Sequence, residues 1–115
     1  MNIKRLIGDK GERKVARLYV TKGYKIIARN FFCKYGELDI VVQKGDTVVI
    51  VEVKTRKNNN YADAKDFVDF KKQNRIIKTT DIFLQKHNLT DCVIRFDVAE
   101  VYTENNNINI IENAF

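Results

Sequence analysis

A chain of 115 residues is sized for one domain, residues 1–115, with room for a proper core and not for two. Its hydrophobic share of 44% is ordinary for a globular protein, and no apolar stretch approaches membrane-spanning length, which sets aside an integral helical membrane protein. The net charge of +6 is uneven: residues 1–35 carry ten Lys and Arg against Asp9 and Glu12 (+8), while residues 36–115 carry eleven against thirteen acids (−2), which points to a polyanion partner, nucleic acid before membrane, with a merely solvated basic surface as the alternative.

The first element is a helix. Asp9-Lys10-Gly11-Glu12 has the form of a capping box, Asp9 as N-cap and Glu12 at the third helical position, and predicts a helix from there to about Lys22, ended by Gly23. Val15, Ala16, Leu18, Tyr19 and Val20 form its apolar side, and Glu12 heads that stripe rather than the basic face of Lys10, Arg13, Lys14 and Arg17. The N-terminus starts basic but lacks the long apolar segment of a signal peptide, so a cytoplasmic location is expected. In a reducing compartment Cys33 and Cys92, far apart and without metal-type spacing, are expected to be free thiols.

Tyr24 to Phe32 reads as a first strand, and Cys33-Lys34-Tyr35-Gly36 turns the chain into a second, Gly36 to Val42. A polar turn containing Gly45 joins it to Thr47-Val48-Val49-Ile50-Val51-Glu52-Val53-Lys54, a β-hairpin pattern. Residues Arg56 to about Ala62, with three asparagines at 58–60, read as a loop. A second helix is expected to begin between Asp63 and Asp69 and run to about His87, with Ile76, Ile77, Thr80, Phe83 and Leu84 inward, Asn88 as cap and His87 serving the helix end. Cys92 to Tyr102 forms a long strand, with Ile94, Phe96 and Val98 on one face and Arg95, Asp97, Ala99 and Val101 on the other; Asp97 suits a structural pairing with a nearby arginine. Asn105 to Asn107 turns into a last strand, Ile108 to Ile111. The order is α-β-β-β-α-β-β, an α/β mixed sheet with helices against it.

The chemistry-bearing feature is Asp39 together with Glu52-Val53-Lys54. Alternation places Glu52 and Lys54 on the face of Val48 and Ile50, at the end of a strand apolar on both sides and therefore buried. Charges there are costly unless paired or bound to something. A strand-end salt bridge between Glu52 and Lys54 would satisfy them; so would a Mg²⁺ site in which Asp39 and Glu52 are ligands and Lys54 orients or deprotonates an attacking water. Glu12 is open between helix capping and a metal or water contact, and Glu37, two residues before Asp39, is an extra ligand or a solvated strand-start acid. Arg29, Lys34 and Arg56 are candidate backbone-phosphate contacts, each equally compatible with an ordinary surface role.

Gly11-Glu12, Gly23-Tyr24, Arg29-Asn30, Gly36-Glu37-Leu38-Asp39, Val51-Glu52-Val53-Lys54-Thr55-Arg56, Lys72-Gln73 and Arg95-Phe96-Asp97-Val98 occur in an order that resembles the YraN-type bacterial family of the restriction-endonuclease-like superfamily, over roughly residues 8 to 102. Within that superfamily the chain is similar to archaeal Holliday junction resolvases. The resemblance implies a restriction-endonuclease-like αβββαβ core and a PD-(D/E)xK-type site: Asp39 the aspartate, Glu52 the acidic residue before the x, Lys54 the lysine, Glu12 the glutamate of the first helix in resolvase-like members. It also implies that Lys72 and Gln73 contact phosphate or the site. Leu38 stands where the motif has proline, and Phe32 where a basic residue is frequent, with Lys34 nearby.

The expectation is a metal-dependent nuclease using Mg²⁺ or Mn²⁺ to hydrolyse phosphodiester bonds, with Asp39, Glu52 and Glu12 as ligands and DNA favoured over RNA. Branched DNA and a homodimer follow from the resolvase similarity alone. A non-catalytic nucleic-acid-binding module with the same fold, or an assembly factor using a sheet edge, are the alternatives.

Overall fold

A computed structural model describes residues 3–58 and 68–115, with side chains from residue 9 onward. The elements are α1 (Ile3–Thr21), β1 (Lys25–Cys33), β2 (Gly36–Lys44), β3 (Thr47–Arg56), α2 (Phe70–Lys86), β4 (Val93–Tyr102) and β5 (Ile108–Ile111), the expected α-β-β-β-α-β-β order. They build a five-stranded sheet in the order β1-β2-β3-β4-β5, antiparallel except for the parallel β3–β4 pair that brackets α2. The polar loop expected after Arg56 falls mostly on residues 59–67, outside the described residues. No helix among the described residues is long and apolar enough to cross a membrane.

Strand β3 is the centre of the core because both of its faces are apolar. Val49 and Val51 pack with Val15, Ala16 and Tyr19 of α1, while Val48 and Ile50 pack with Ile76 and Phe83 of α2. All four β3 residues are essentially inaccessible to solvent, and burying each such side chain contributes about 1.5–3 kcal/mol. Glu52 and Lys54 therefore lie on the α2 face, as alternation requires. The β2–β3 hairpin closes through Gly45 and Asp46, with Gly45 at φ 60°, a turn geometry that glycine adopts without cost.

Both helices end as their sequences indicate. Gly23 (φ 92°) follows α1, and Tyr24 and Gly23 donate their backbone N–H groups to Tyr19 O (3.0 Å) and Val20 O (3.0 Å), the paired bonds of a Schellman end. Asn88 (φ 54°) plays the same part after α2, with Leu89 N donating to Leu84 O at 2.9 Å. His87 serves that end too: its ring nitrogen lies 2.9 Å from Phe83 O and the ring stacks on Phe83. The N-cap of α2 is Asp69, whose carboxylate accepts from Lys72 N at 2.8 Å.

Two expectations change. The first helix starts at Ile3 rather than after Asp9, so Asp9 and Glu12 lie inside it and no capping box forms. The residues before Asp9 are mostly tolerant of helix, and a single glycine at position 8 slows a helix without stopping it. On α2 the inner stripe is Ile76, Thr79, Thr80 and Phe83; Ile77 is exposed, and Thr79, which had no assigned role, is fully buried. The threonines are tolerated inside because each hydroxyl donates at 2.7 Å to a carbonyl one turn back, Arg75 O and Ile76 O.

Gly11 sets how closely α1 approaches the sheet. A Cβ at that position would stand 3.2 Å from Thr55 Oγ1 and 3.6 Å from Val101 Cγ1. Gly11→Val is expected to push α1 off β3 and β4 and cost about 1–3 kcal/mol, read as a lowered urea midpoint with an unchanged slope. A midpoint equal to that of the wild type would mean that α1 is free to shift.

Candidate functional site

The site lies where β2 and β3 part. Their register runs from Lys44–Thr47 to Ile40–Val51, and at the next position the Asp39 side chain takes over from the backbone: its Oδ2 accepts from Val53 N at 2.9 Å. On the other flank, Asn30 of β1 sits between the Arg29–Ile40 and Phe31–Leu38 pairs at φ 53°, a left-handed backbone that asparagine tolerates better than most residues. Around this twist the strand faces exchange. Ile40 packs in the α1 cluster and Leu38 in the α2 cluster, although two residues apart on one strand. Asp39 is thereby aimed at the opened seam beside Glu52.

A cleft of about 240 Å³ covers this seam, lined by Gly36, Glu37, Asp39, Glu52, Lys72, Arg75 and Ile76. Burial pushes the Asp39 carboxyl up to about 7, and the Glu52 carboxylate pushes the same way; the Val53 N–H opposes them, and Glu12 adds a smaller upward push. Glu52 is itself buried, and Lys72 Nζ of α2 meets its Oε1 at 2.6 Å. Lys54, half-buried, has its ammonium pK lowered by burial and then by the neighbouring Lys72 charge. Burial works on Lys72 in the same direction, but its hydrogen bond and ion pair with Glu52 outweigh it and the net shift is upward. Two carboxylates and two amines thus crowd one half-enclosed space, each altering its neighbours' proton affinity.

Glu12 reaches this group from the α1 side. Arg29 Nη2 holds its Oε2 at 3.2 Å, yet burial, helped by Asp9 and Glu37, keeps the Glu12 carboxyl above its ordinary value. The Asn30 amide, oriented with its nitrogen toward the acids, donates to Glu12 Oε2 and Glu37 Oε1, both at 3.2 Å. Glu37 thus belongs to the cleft wall and is linked through Asn30 to Glu12.

Asp39 and Glu52 are the side chains able to hold a divalent cation. Among the described residues no three His, Cys, Asp or Glu side chains form a ready-made cage. Mg²⁺ does not require one, since it retains waters and commonly uses one or two carboxylates plus substrate phosphate. The donor set fits that habit: Asp39 is destabilised as an anion by burial and by Glu52, and a cation between them relieves both.

The remaining candidates divide. Lys34 stands at the β1–β2 turn with its Nζ 5.1 Å from the Tyr35 ring centre. Arg56 Nε is bound at 2.9 Å to Glu100 Oε2, whose other oxygen accepts from Asn109, so Arg56 is tied into a buried ion pair. Gln73 Nε2 donates to Val68 O at 2.9 Å and fastens the entry to α2. The structure therefore gathers Asp39, Glu52, Lys54 and Lys72, with Glu12, Glu37 and Arg29 adjoining, and gives Arg56 and Gln73 structural contacts. Arg29 also borders, with Arg13 and Arg17, a shallow groove of about 430 Å³ floored by Ala16, Val20 and Ile26. Arg75 was not assigned a site role from the sequence, and Asn30 entered only within the Arg29-Asn30 pair. Arg75, one helical turn beyond Lys72, shares its side of α2 and was findable by that spacing; an asparagine inside an apolar strand was the signal for the twist. Cys33 and Cys92 are free and half-buried, as expected.

The sequence profile of the uncharacterised protein family UPF0102 matches residues 11–101. A UPF0102 protein of Caldicellulosiruptor saccharolyticus is 40% identical over 116 residues, covering 97% of this chain and 98% of that one. Another, from Clostridioides difficile, is 41% identical over 108 residues (94% and 95%), and one from Caldanaerobacter subterraneus is 38% identical over 117 residues (97% and 96%).

Proposed function

The chain belongs to the uncharacterised protein family UPF0102, and we propose that it is a metal-dependent nuclease of the restriction-endonuclease-like kind. One observation carries the reading: Asp39 and Glu52 meet in the cleft where β2 and β3 part, with Lys54 interacting with Glu52 and Lys72 and with the Asp39 carboxyl pushed up to about 7 by burial and by Glu52. The α-β-β-β-α-β order of the first six elements agrees with it.

In this reading Asp39 and Glu52 would hold Mg²⁺ or Mn²⁺, with the Glu12 carboxylate adding negative charge near Asp39 from the α1 side. The bound ion supplies a water of lowered pKa and neutralises charge on the scissile phosphate. Lys54, its ammonium pK lowered by burial and then by Lys72, gives up a proton more readily than a solvent lysine and would hydrogen-bond a phosphate oxygen. Lys72 lies one salt bridge away and adds positive charge at the same place. Arg13, Arg17 and Arg29, along the groove between α1 and β1, grip backbone phosphates without reading sequence. DNA as the preferred polymer, a branched substrate and a homodimer that cuts two strands are parts of the proposal that rest on the resemblance to resolvases.

A second reading is favoured by the Lys72–Glu52 contact of 2.6 Å, which neutralises Glu52 with no metal at all. It makes the protein a nucleic-acid-binding module in which the acidic–lysine set is structural. Its signature is salt-sensitive DNA binding that survives Asp39→Ala and Glu52→Ala and ignores Mg²⁺.

A cleavage assay separates the two. Linear, single-stranded, flapped and four-way-junction DNA, and RNA, are incubated with wild-type protein in Mg²⁺ or Mn²⁺, beside Glu52→Ala and Lys54→Ala. Metal-dependent cutting that falls by about a hundredfold or more in both variants is expected. Cutting that persists in both sinks the site, and binding without cutting across the panel selects the second reading.

A further inference from the structure

The cleft beside β2 and β3 already contains a cation, the ammonium of Lys72. Its Nζ lies 2.6 Å from Glu52 Oε1, and its charge also acts on Asp39 and Lys54. The pairing is lopsided. Only 9% of the Glu52 side chain is exposed, whereas 42% of the Lys72 side chain is, on a flexible four-carbon stem. The lysine can therefore withdraw into water and the glutamate cannot. Lys72 also stands in the first turn of α2, three residues after the Asp69 cap, where the positive end of the helix disfavours a cation. Glu52, across the cleft, draws the ammonium in; its own helix does not. Arg75, one turn further on, lines the same cleft but makes no ion pair with either acid, and among the described residues Asp39 has no ion pair at all.

We infer that Lys72 is a displaceable counter-ion, which holds Glu52 until a divalent cation takes its place and then turns its own charge to a substrate phosphate. The inference rests on the metal reading of the site and adds its regulation. One positive charge leaves Glu52 as another arrives, so the buried carboxylate never lacks a compensating charge, the condition under which a buried acid is tolerated. An incoming cation must compete with an ion pair already formed, which lowers its affinity below what the two carboxylates alone would give. The released ammonium stays tethered through α2 to the wall of the cleft. On this account the 2.6 Å contact is the resting form of the metal site rather than a replacement for it.

Binding of Mn²⁺ by the full-length chain, followed by loss of the free-ion electron paramagnetic resonance signal, tests this with no nucleic acid present. Lys72→Met removes the charge and keeps most of the length; it is expected to bind Mn²⁺ at least about tenfold more tightly than wild type. Lys72→Arg keeps the charge and should bind within about threefold of wild type. Asp39→Asn added to Lys72→Met should abolish the gain. Without Mn²⁺, Lys72→Met should melt below wild type, because Glu52 loses its partner, and a given Mn²⁺ concentration should raise its melting temperature more than that of wild type. Wild-type binding that Lys72→Met leaves unchanged or weakens, or an equal gain in Lys72→Arg, overturns the counter-ion role and leaves the metal reading standing. A gain that survives Asp39→Asn puts the ion elsewhere, and absence of Mn²⁺ binding by every folded variant removes it altogether; either result overturns the counter-ion role and the metal reading together.

Discussion

Asp39→Asn is expected to make the folded chain more stable at pH 8 while removing the metal-dependent cleavage proposed for it. In the fold the Asp39 carboxyl is pushed up to about 7, first by burial and then by Glu52, against about 3.9 in an unfolded chain. An acid whose folded value is the higher one binds more protons folded than unfolded. Its cost is absent below about pH 4, grows as pH rises through that window, and is complete above about pH 7. Three pK units correspond to about 4 kcal/mol, but the asparagine accepts the Val53 N–H less strongly than the carboxylate does, so a net gain on the order of 2 kcal/mol at pH 8 is the expected result. A domain of this size then melts roughly 5 °C or more higher. At pH 4 the two proteins should melt nearly together, and wild type should lose more stability than the variant between pH 4 and 7. Loss of one of the two carboxylates proposed to hold the metal should lower the proposed cleavage by about a hundredfold or more, about 2.7 kcal/mol in the barrier. An asparagine variant that melts lower than wild type at pH 8 overturns the strained-carboxylate account; one that cleaves normally removes Asp39 from the chemistry.

That strain was half visible in the sequence. The two-faced apolar run of β3, its hairpin partner and the helical stops at Gly23 and Asn88 are encoded within a few neighbouring residues each, so alternation and turn chemistry are enough to read them. The Glu52–Lys54 face followed from the same rule. Asp39 did not: its position depends on the left-handed Asn30 on a different strand, which exchanges the faces of β2 between Leu38 and Ile40. Lys72 as the partner of Glu52 was reached only through a resemblance, since α2 arrives from across the sheet and nothing local to Lys72 encodes the meeting. Asp9 illustrates the opposite limit. Its spacing to Glu12 satisfies a capping pattern, but helix already present from Ile3 leaves no free N-terminus there to cap.

Asp97→Ala should strongly destabilise the fold, in the direction opposite to Asp39→Asn. Asp97 is fully buried on the α1 face of β4, yet four hydrogen bonds reach its carboxylate: Arg95 Nε and Nη2, both at 2.9 Å, Tyr19 O–H at 2.7 Å and Asn113 N at 3.0 Å. Arg95 is pushed above its ordinary pK by the bond to Asp97, and Tyr19 is pushed up by burial and then by the same carboxylate, so both donors keep their protons throughout. Truncation leaves the half-buried Arg95 guanidinium with only the exposed Glu112 carboxylate, 3.9 Å away, and the Tyr19 hydroxyl without its Asp97 acceptor, a loss of about 3–5 kcal/mol in a domain whose total is about 5–15. Tyr19→Phe removes one charge-assisted bond and should cost about 1.5–3 kcal/mol. Urea titration measures both; an Asp97→Ala midpoint close to wild type would show that the network contributes little. On the nuclease reading these variants should cleave as wild type does below their melting temperatures, because Asp97 lies on the opposite face of the sheet from the cleft. Two buried aspartates in one sheet therefore differ in sign for a stated reason. Asp97 is surrounded by donors and holds the fold, whereas Asp39 has one backbone N–H against two neighbouring carboxylates and keeps a charge the fold alone does not stabilise.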